Sequence, residues 1–591
     1  MSASQTLPEV TQKLTQHAML VIWGLYAQQI GLVQALEEVK LKQKTRTHRP
    51  QTKVLEFLVA MLAGLPHLKD ISRSAHPLDQ DQVTAEAWGQ PGWADYSGVS
   101  RTLQQMSEAE VDALVAVLEA ICQPFIDREV EGALQRQGEV VYDADLTGRS
   151  VSSTSSSYPA AAFGYMGDTI ELGYQAALVS MHSPTFGRLW LASDLHPGDT
   201  VSVTEAQALV RAAERRTGRR PRRRTALLAT RLAQAQAALQ RLAETVAQSL
   251  DRQHQAQAKL EETTRRLREW EQQLKTLTDQ YQRQNRQPTA HCQMSRANRK
   301  VVTYTNRLPR CQKALAVAQG RLARHQARYD QAQTLVEQLQ LHYQSLVADN
   351  AANPQPIRAT FRLDGGFASR DNIAWLIEMG YDLYTRGRST TVADALSAAL
   401  TADTVWVRAG GNAALTAWAH TTVDDYFIYP MDVALAHYHT GQTLRRAVLL
   451  HYGHQQVSAD LAAWFHHYNG RQTIEAGIKE GKNVFQMHHL KVRSSQALRL
   501  QEALAWFAAN FVRFAAHWLA TYQQPLTLSL TSVKHMVQVD AHTSAWVHRQ
   551  GPVWVLTFTE HSFYAGSSLR FGQGAIQLPL PLLNTFHFSH F

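Results

Sequence analysis

Glu139-Val-Val-Tyr-Asp-Ala-Asp-Leu146 reads as a β-strand that ends in carboxylates. Val140, Val141 and Tyr142 are of the β-branched and aromatic types that suit a pleated, half-buried surface. Two further β-type runs follow, Tyr174–Met181 and Arg188–Leu195, separated by the turn His182–Gly187. A helical stretch, Val203–Arg216, comes next, and Pro221 then interrupts the chain. The same texture returns far downstream, with a strand at Ala359–Leu363, a helix at Asp371–Met379 and a strand at Tyr381–Tyr384. Two strands joined through a helix in one sheet should run parallel. Three strands, a helix, a strand, a helix and a strand make an α/β core.

A long insertion divides that core. No Gly or Pro occurs across Arg222–Gln287. Leu228, Leu232, Ala235, Leu239, Leu242 and Val246 alternate steps of four and three. Leu267, Trp270, Leu274, Leu277 and Tyr281 resume the pattern, and Leu315 to Leu346 repeat it. This is a heptad signature. Pro288 and the polar run around it separate two arms. The pattern predicts an antiparallel helical hairpin whose first arm is about 90 Å long at 1.5 Å per residue. A coiled coil between chains fits the same heptads. The hairpin is expected to extend the helix after the third strand, leaving the sheet unbroken.

The flanking regions have their own texture. Residues 1–135 read as helical, with apolar spacing at Leu20, Trp23, Leu25 and Ile30 and again at Val54, Leu58, Met61 and Leu62. Leu14 to Ala35 is uncharged, but four Gln interrupt it. A buried amphipathic helix is therefore expected there, not a membrane span. Asp95–Met106 reads either as a short DNA-reading helix entered through a Ser cap or as a plain packing helix. Residues 402–450 look like a β-rich insert, with strands at Thr404–Arg408, Ala414–Ala419, Tyr426–Pro430 and Leu444–Tyr452. Val457–Ala520 is helical, and residues 525–591 return to short strands and turns.

The chain has 591 residues, 45% apolar and 18% charged. That length anticipates roughly four domains, and that composition excludes a mainly disordered chain. The net charge is +9, and its placement is uneven. Lys40–Lys53 carries six basic residues and no acid. Arg211–Arg224 carries eight Arg and one Glu, and Arg283–Arg310 seven basic residues and no acid. These segments hold +20, leaving −11 for the rest. They are expected to contact phosphates, through Arg222, Arg223 and Arg224 in the second and Arg299 and Lys300 in the third. Solvated surface is the alternative. Cys122, Cys292 and Cys311 form no CxxC pair, which points away from a disulfide framework or a zinc site and toward a reducing compartment. Met1–Val10 lacks the basic start and apolar run of a secretory signal.

Three acids stand out by position. Asp145 ends the first strand, Asp364 ends the strand after the hairpin, and Glu475 lies on a helix. Carboxylates at strand ends lie where ligands bind in open α/β sheets. Clustered carboxylates repel one another and need cations. Their hard oxygens suit Mg²⁺ or Mn²⁺, and two such ions can serve phosphoryl transfer. Asp143 lies two residues before Asp145 on the same strand face, and alternation alone cannot separate the two.

Tyr468, Arg471, Glu475 and Lys482 fit Y-x2-R-x3-E-x6-K without a gap. With Asp145 in a D-x-T context and Asp364 in Arg362-Leu363-Asp364-Gly365-Gly366-Phe367, the chain resembles the DDE transposases of bacterial insertion sequences, the family with the Tyr-Arg-Glu-Lys signature. The resemblance covers about residues 139–520. It implies a ribonuclease H-like core with catalytic, metal-binding Asp145, Asp364 and Glu475 and two Mg²⁺ or Mn²⁺ ions. It favours Asp145 over Asp143. The implied activity is cleavage of the element's ends and joining of their 3′-hydroxyls to target DNA. Partners would be double-stranded DNA, as terminal inverted repeats and target, and a second copy in a homodimer on that DNA. The expected location is the cytoplasm, at the nucleoid. A domesticated, non-catalytic DNA-bridging protein is the alternative.

The expected organisation is a helical N-terminal DNA-binding or dimerisation region (1–135), core segments at 136–220, 351–400 and 456–522, the hairpin at 221–350, the β-rich insertion at 401–455 and a β-rich end at 523–591. The hairpin separates the two Asp by 219 residues and lies outside the family's minimal pattern. Arg471, one turn before Glu475, can grip a phosphate with its fork or simply pair with Glu475. Lys482 offers a point charge or pairs with Glu480. Tyr468 is expected to bond a phosphate or stack on a displaced base. Trp406, in the β-rich insert, is read as a core residue or as a holder of a flipped base. His451, His454, His466, His467, His488 and His489 make no convincing zinc set.

Overall fold

The computed structural model describes residues 12–44, 47–441, 443–522, 532–562, 564, 565 and 567–572. The leader reading at Met1–Val10, part of the Lys40–Lys53 segment and the readings at 525–531 and beyond 572 fall outside those residues. The chain forms two compact units, residues 1–222 with 355–591 and residues 223–354.

The first unit opens with β1 (Lys13–Thr15), then α1 (Ala18–Gln29), α2 (Leu32–Glu38), α3 (Pro50–Leu62), α4 (Asp70–Arg73), α5 (Gln82–Ala87), α6 (Tyr96–Gln104) and α7 (Glu108–Gln137). The one helix expected over Leu14–Ala35 is instead a strand and two helices bent by 68°. The break is Gly31, whose φ of 77° favours a residue without a Cβ. α1 is not amphipathic, since Ala18 to Gly24 are all buried. Among the described residues no single helix is long and apolar enough to cross a membrane. α6 is capped by Asp95, whose carboxylate accepts from Gly98 N at 2.7 Å, and not by a Ser. Val99, Thr102 and Leu103 are buried, so one face of α6 packs into the core, while Arg101 and Gln104 are exposed.

β2 (Val140–Ser150), β3 (Ala162–Tyr165), β4 (Ile170–Ser183), β5 (Gly187–Pro197) and α8 (Ser202–Thr217) follow. α8 stops at Gly218, with φ 60°, so the hairpin does not extend it. The hairpin is α9 (Thr225–Arg283) and α10 (Gln293–Ala351). Its two helices pack antiparallel within one chain, with Ser249 Oγ 2.7 Å from His325 Nδ1 and Thr263 Oγ1 3.6 Å from Cys311 Sγ. Leu228, Leu232, Leu339 and Leu346 close the base. α10 begins well before the heptad pattern at Leu315 and runs through Pro309.

The first unit resumes with β6 (Ala359–Leu363), α11 (Arg370–Glu378), β7 (Asp382–Gly387), α12 (Thr390–Ala398), β8 (Val407–Ala409), β9 (Ala413–Thr421), β10 (Met431–Thr440) and β11 (Thr443–Tyr452). Then come α13 (Leu461–Asn469), α14 (Gln472–Asn483), α15 (Ser495–Tyr522), α16 (Val533–Gln538), β12 (Ala545–Gln550), β13 (Val553–Phe558) and β14 (Ser568–Phe571). The fold is mixed α/β. One mixed sheet of ten strands runs β3-β4-β2-β6-β7-β11-β10-β9-β8, with β5 also on β4. β2 pairs antiparallel with β4 and parallel with β6, and β6 pairs parallel with β7. The β-rich insert is not a separate layer, because β11 pairs antiparallel with β7 and prolongs the same sheet. Tyr426–Pro430 is not a strand; Val423, Asp424 and Asp425 have positive φ and turn the chain into β10. A second sheet, β1-β12-β13-β14, joins the two ends of the described chain.

α15 is the central core helix, and Phe514 stacks on Phe125 of α7 at 3.9 Å. α13 covers the inserted strands, with Trp464 and Tyr468 packed among Tyr384, Leu415 and Leu449.

Candidate active site

The β2–β6 register sets Asp143 opposite Arg362. Side chains two residues along a strand share a face. Asp145 and Asp364 are therefore the next matching pair; β6 ends there, but Asp145 does not end its strand as expected, since β2 runs on to Ser150 paired with β4. Asp143 is fully buried. It receives Arg362 Nε at 2.7 Å and Nη2 at 2.8 Å, and Arg188 Nη2 at 2.9 Å. Burial pushes its pKa up, but the Arg188 and Arg362 guanidiniums hold it below the usual carboxylate range. Arg188 also donates to Ser180 and Thr473, and Arg362 to the His467 carbonyl. Asp143 is thus the centre of a knot that ties β2, β5 and β6 to α13 and α14.

Asp145 stands just outside that knot, with its side chain 16% exposed. Its Oδ1 accepts from Leu146 N at 2.8 Å. Asp364 ends β6 and caps the turn Gly365–Phe367. Glu475 sits in the first turn of α14, its side chain 47% exposed. α14 can approach the strands because Gly477 has no Cβ; one would fall 2.8 Å from the Trp190 ring.

Arg471 joins the three acids. Its guanidinium lies 2.8 Å from Glu475 Oε1, 3.3 Å from Asp145 Oδ2 and 3.7 Å from Asp364 Oδ1. Burial raises the Asp145 pKa to about 6, Arg471 opposes the rise, and Asp364 and Glu475 add to it. No protein-family model and no curated protein matches this chain. The oxygen-only set fits a hard divalent cation in chemistry. As the side chains stand, their common counter-ion is Arg471, and no group of three His, Cys, Asp or Glu among the described residues forms a ready metal site.

The other expected site residues separate into groups. Tyr468 is buried, 7% exposed, and offers no face for base stacking. The helix breaks at Gly470 between Tyr468 and Glu475, so the tyrosine ends α13 and its hydroxyl interacts with Arg471. Lys482 is half-buried at the end of α14, and burial and Arg149 lower its pKa. Glu480 pairs with Arg513 at 2.7 Å, not with Lys482. Trp406 precedes β8, partly exposed, and one ring face is covered by His437 at 4.3 Å. Among the described residues no hydrogen bond or ring contact links it to the acids.

The second basic segment is largely spoken for. Arg223 is buried and pairs with Asp349 at 3.0 Å, so it is not a phosphate contact. Arg211, Arg216 and Arg219 pair with Glu214, Glu119 and Glu131. Arg222 is exposed and Arg224 partly so. Arg299 and Lys300 are exposed on α10. His451 and His454 pair with Asp432 and Asp382. Sequence reasoning missed Arg188 and Arg362 as the partners of Asp143. The in-register position of Arg362, two residues before Asp364, was the available signal.

Proposed function

We propose that this chain is a DDE transposase that cuts the ends of an insertion sequence and joins the freed 3′-hydroxyls to target DNA. The observation that carries the reading is one guanidinium, Arg471, within 3.7 Å of three carboxylates brought from three separate elements. The strand order β5-β4-β2-β6-β7, with β4 antiparallel and β2, β6 and β7 parallel, supports a ribonuclease H-like core.

Two Mg²⁺ or Mn²⁺ ions, held by Asp145, Asp364 and Glu475, would supply activation of the attacking oxygen and stabilisation of the leaving one. Arg471 is placed to exchange the acids for a DNA phosphate, which its fork can bind through two bonds. Tyr468 holds that guanidinium from the buried side. Lys482, two turns after Glu475 on the same helical face, adds a positive charge. Water attacks the phosphodiester at the element's end and releases a 3′-hydroxyl. That hydroxyl attacks a target phosphodiester in line, so one P–O bond forms as another breaks, with no protein adduct. Two ends require two sites, hence a homodimer on DNA at the nucleoid.

A non-catalytic DNA-bridging protein is the rival, favoured by the way Arg471 already satisfies the acids. The test offers the purified chain a duplex with the element's terminal repeat and an exposed 3′-hydroxyl, plus a plasmid target and Mg²⁺. Joined product lost in Asp145→Asn and Glu475→Gln supports the transposase. Repeat-specific binding with no joined product by the unaltered chain supports the rival.

A further inference from the structure

Unlike Arg211–Arg224, the basic run at the hairpin tip is left without acidic partners. Arg283 and Arg286 lie where α9 ends, and Arg296, Arg299, Lys300, Arg307 and Arg310 lie on the first turns of α10; all seven are exposed. Among the described residues none of them forms an ion pair. Asp279 and Glu271 are the α9 acids nearest the tip in sequence, and among the described residues neither forms an ion pair with it; farther down, Glu262 is paired with Arg265 and Arg266 and Glu269 with Arg265 on their own helix.

The five cations on α10 are not scattered. At 3.6 residues per turn they fall within an arc of about 100° and extend over roughly 21 Å of helix. Ala297 and Cys311 are buried along one edge of the stripe, and Cys311 meets Thr263 of α9 there. Val302 is the one large apolar side chain of this segment that is exposed. A narrow cationic stripe with almost no apolar anchor suits a linear polyanion and not a membrane, where basic surfaces pair with Trp, Phe or Leu. Duplex DNA offers about twelve phosphate charges over the same 21 Å.

We infer that the hairpin tip is a docking surface for the backbone of duplex DNA, independent of base sequence. The stripe stands on the hairpin's own geometry; the choice of DNA over another linear polyanion rests on the proposed function.

The full-length chain carrying Arg296→Gln, Arg299→Gln, Lys300→Gln and Arg307→Gln tests this. All four sites are exposed, so the fold should hold, and a thermal melt checks it. Binding of a duplex of arbitrary sequence is followed as salt rises. The slope of log K against log salt should become shallower by about 0.9 for each phosphate no longer neutralised. In the unaltered chain, Cys292 at the tip is partly exposed while Cys122 and Cys311 are buried. Duplex should therefore slow its modification by N-ethylmaleimide. An unchanged salt slope, or equal protection by phosphatidylglycerol vesicles at matched phosphate, would overturn the inference. End joining by a variant with an unaltered slope sinks the tip alone. A shallower slope in a chain that never cuts or joins DNA sinks the triad reading and leaves the tip standing.

Discussion

Asp143 and Asp145 are two residues apart on one strand face, yet their surroundings give them opposite duties. Asp143 neutralises two buried guanidiniums, and removing one partner of such a cluster typically costs about 3–5 kcal/mol. Asp143→Ala should lower the denaturant midpoint accordingly, and an unchanged midpoint would show that Arg188 and Arg362 need no counter-ion. Asp145 behaves differently. Its folded pKa of about 6 exceeds the ordinary value of 3.8. The folded state therefore holds its proton more tightly than the unfolded state does. The stabilisation is full below the ordinary value and is lost as pH rises through the folded one. Asp145→Asn should thus gain stability relative to the unaltered chain, on the order of 2 kcal/mol, as pH climbs from acid to neutral. Parallel stability curves for the two proteins across that window would refute this. Arg471→Gln removes the cation that the three acids share. A charged hydrogen bond is worth about 1.5–3 kcal/mol, so Mn²⁺ titrated calorimetrically into the DNA-free variant should bind at least roughly tenfold tighter. Equal or weaker binding would mean that Arg471 does not compete. Spacing and signature residues single out Asp145, Asp364, Glu475 and Arg471. Alternation does not set Asp143 apart, because its partner Arg362 is identified only by strand register.

At the scale of elements, β6, α11 and β7 are legible because each is a short run with one clear period. The inserted strands are harder. β10 is Met431–Thr440, and a turn of positive-φ residues stands where a strand is expected. Local pattern does not reveal that β11 returns to β7, since that pairing joins residues about sixty apart. Tyr468 reads in sequence as a phosphate or base contact on the helix of Glu475, but the helix breaks at Gly470 and Tyr468 packs in the core. The early start of α10 is also hidden, since Pro309 argues against helix. An interior Pro costs about 3 kcal/mol relative to Ala. Pro309→Ala should slow amide exchange in the neighbouring turns of α10, and unchanged exchange would show that Pro309 carries no penalty there.

For the molecule as a whole, the charge pattern is more discriminating than the net +9. Arg211–Arg224 is mostly consumed by ion pairs, whereas the cations at the tip of the hairpin form none among the described residues. Run length and sign are visible in sequence; pairing depends on acids such as Glu119, Glu131 and Asp349, which the fold brings from afar. The large sheet sets Asp145 beside Asp364, and α14 lays Glu475 over them. The account stands on those three acids acting together on DNA. Its most direct test is the rate at which the chain nicks a duplex containing the element's end in Mg²⁺, compared between the unaltered protein and Asp364→Ala. The account predicts that nicking falls below detection while the duplex is still bound; nicking by Asp364→Ala at the unaltered rate would contradict it.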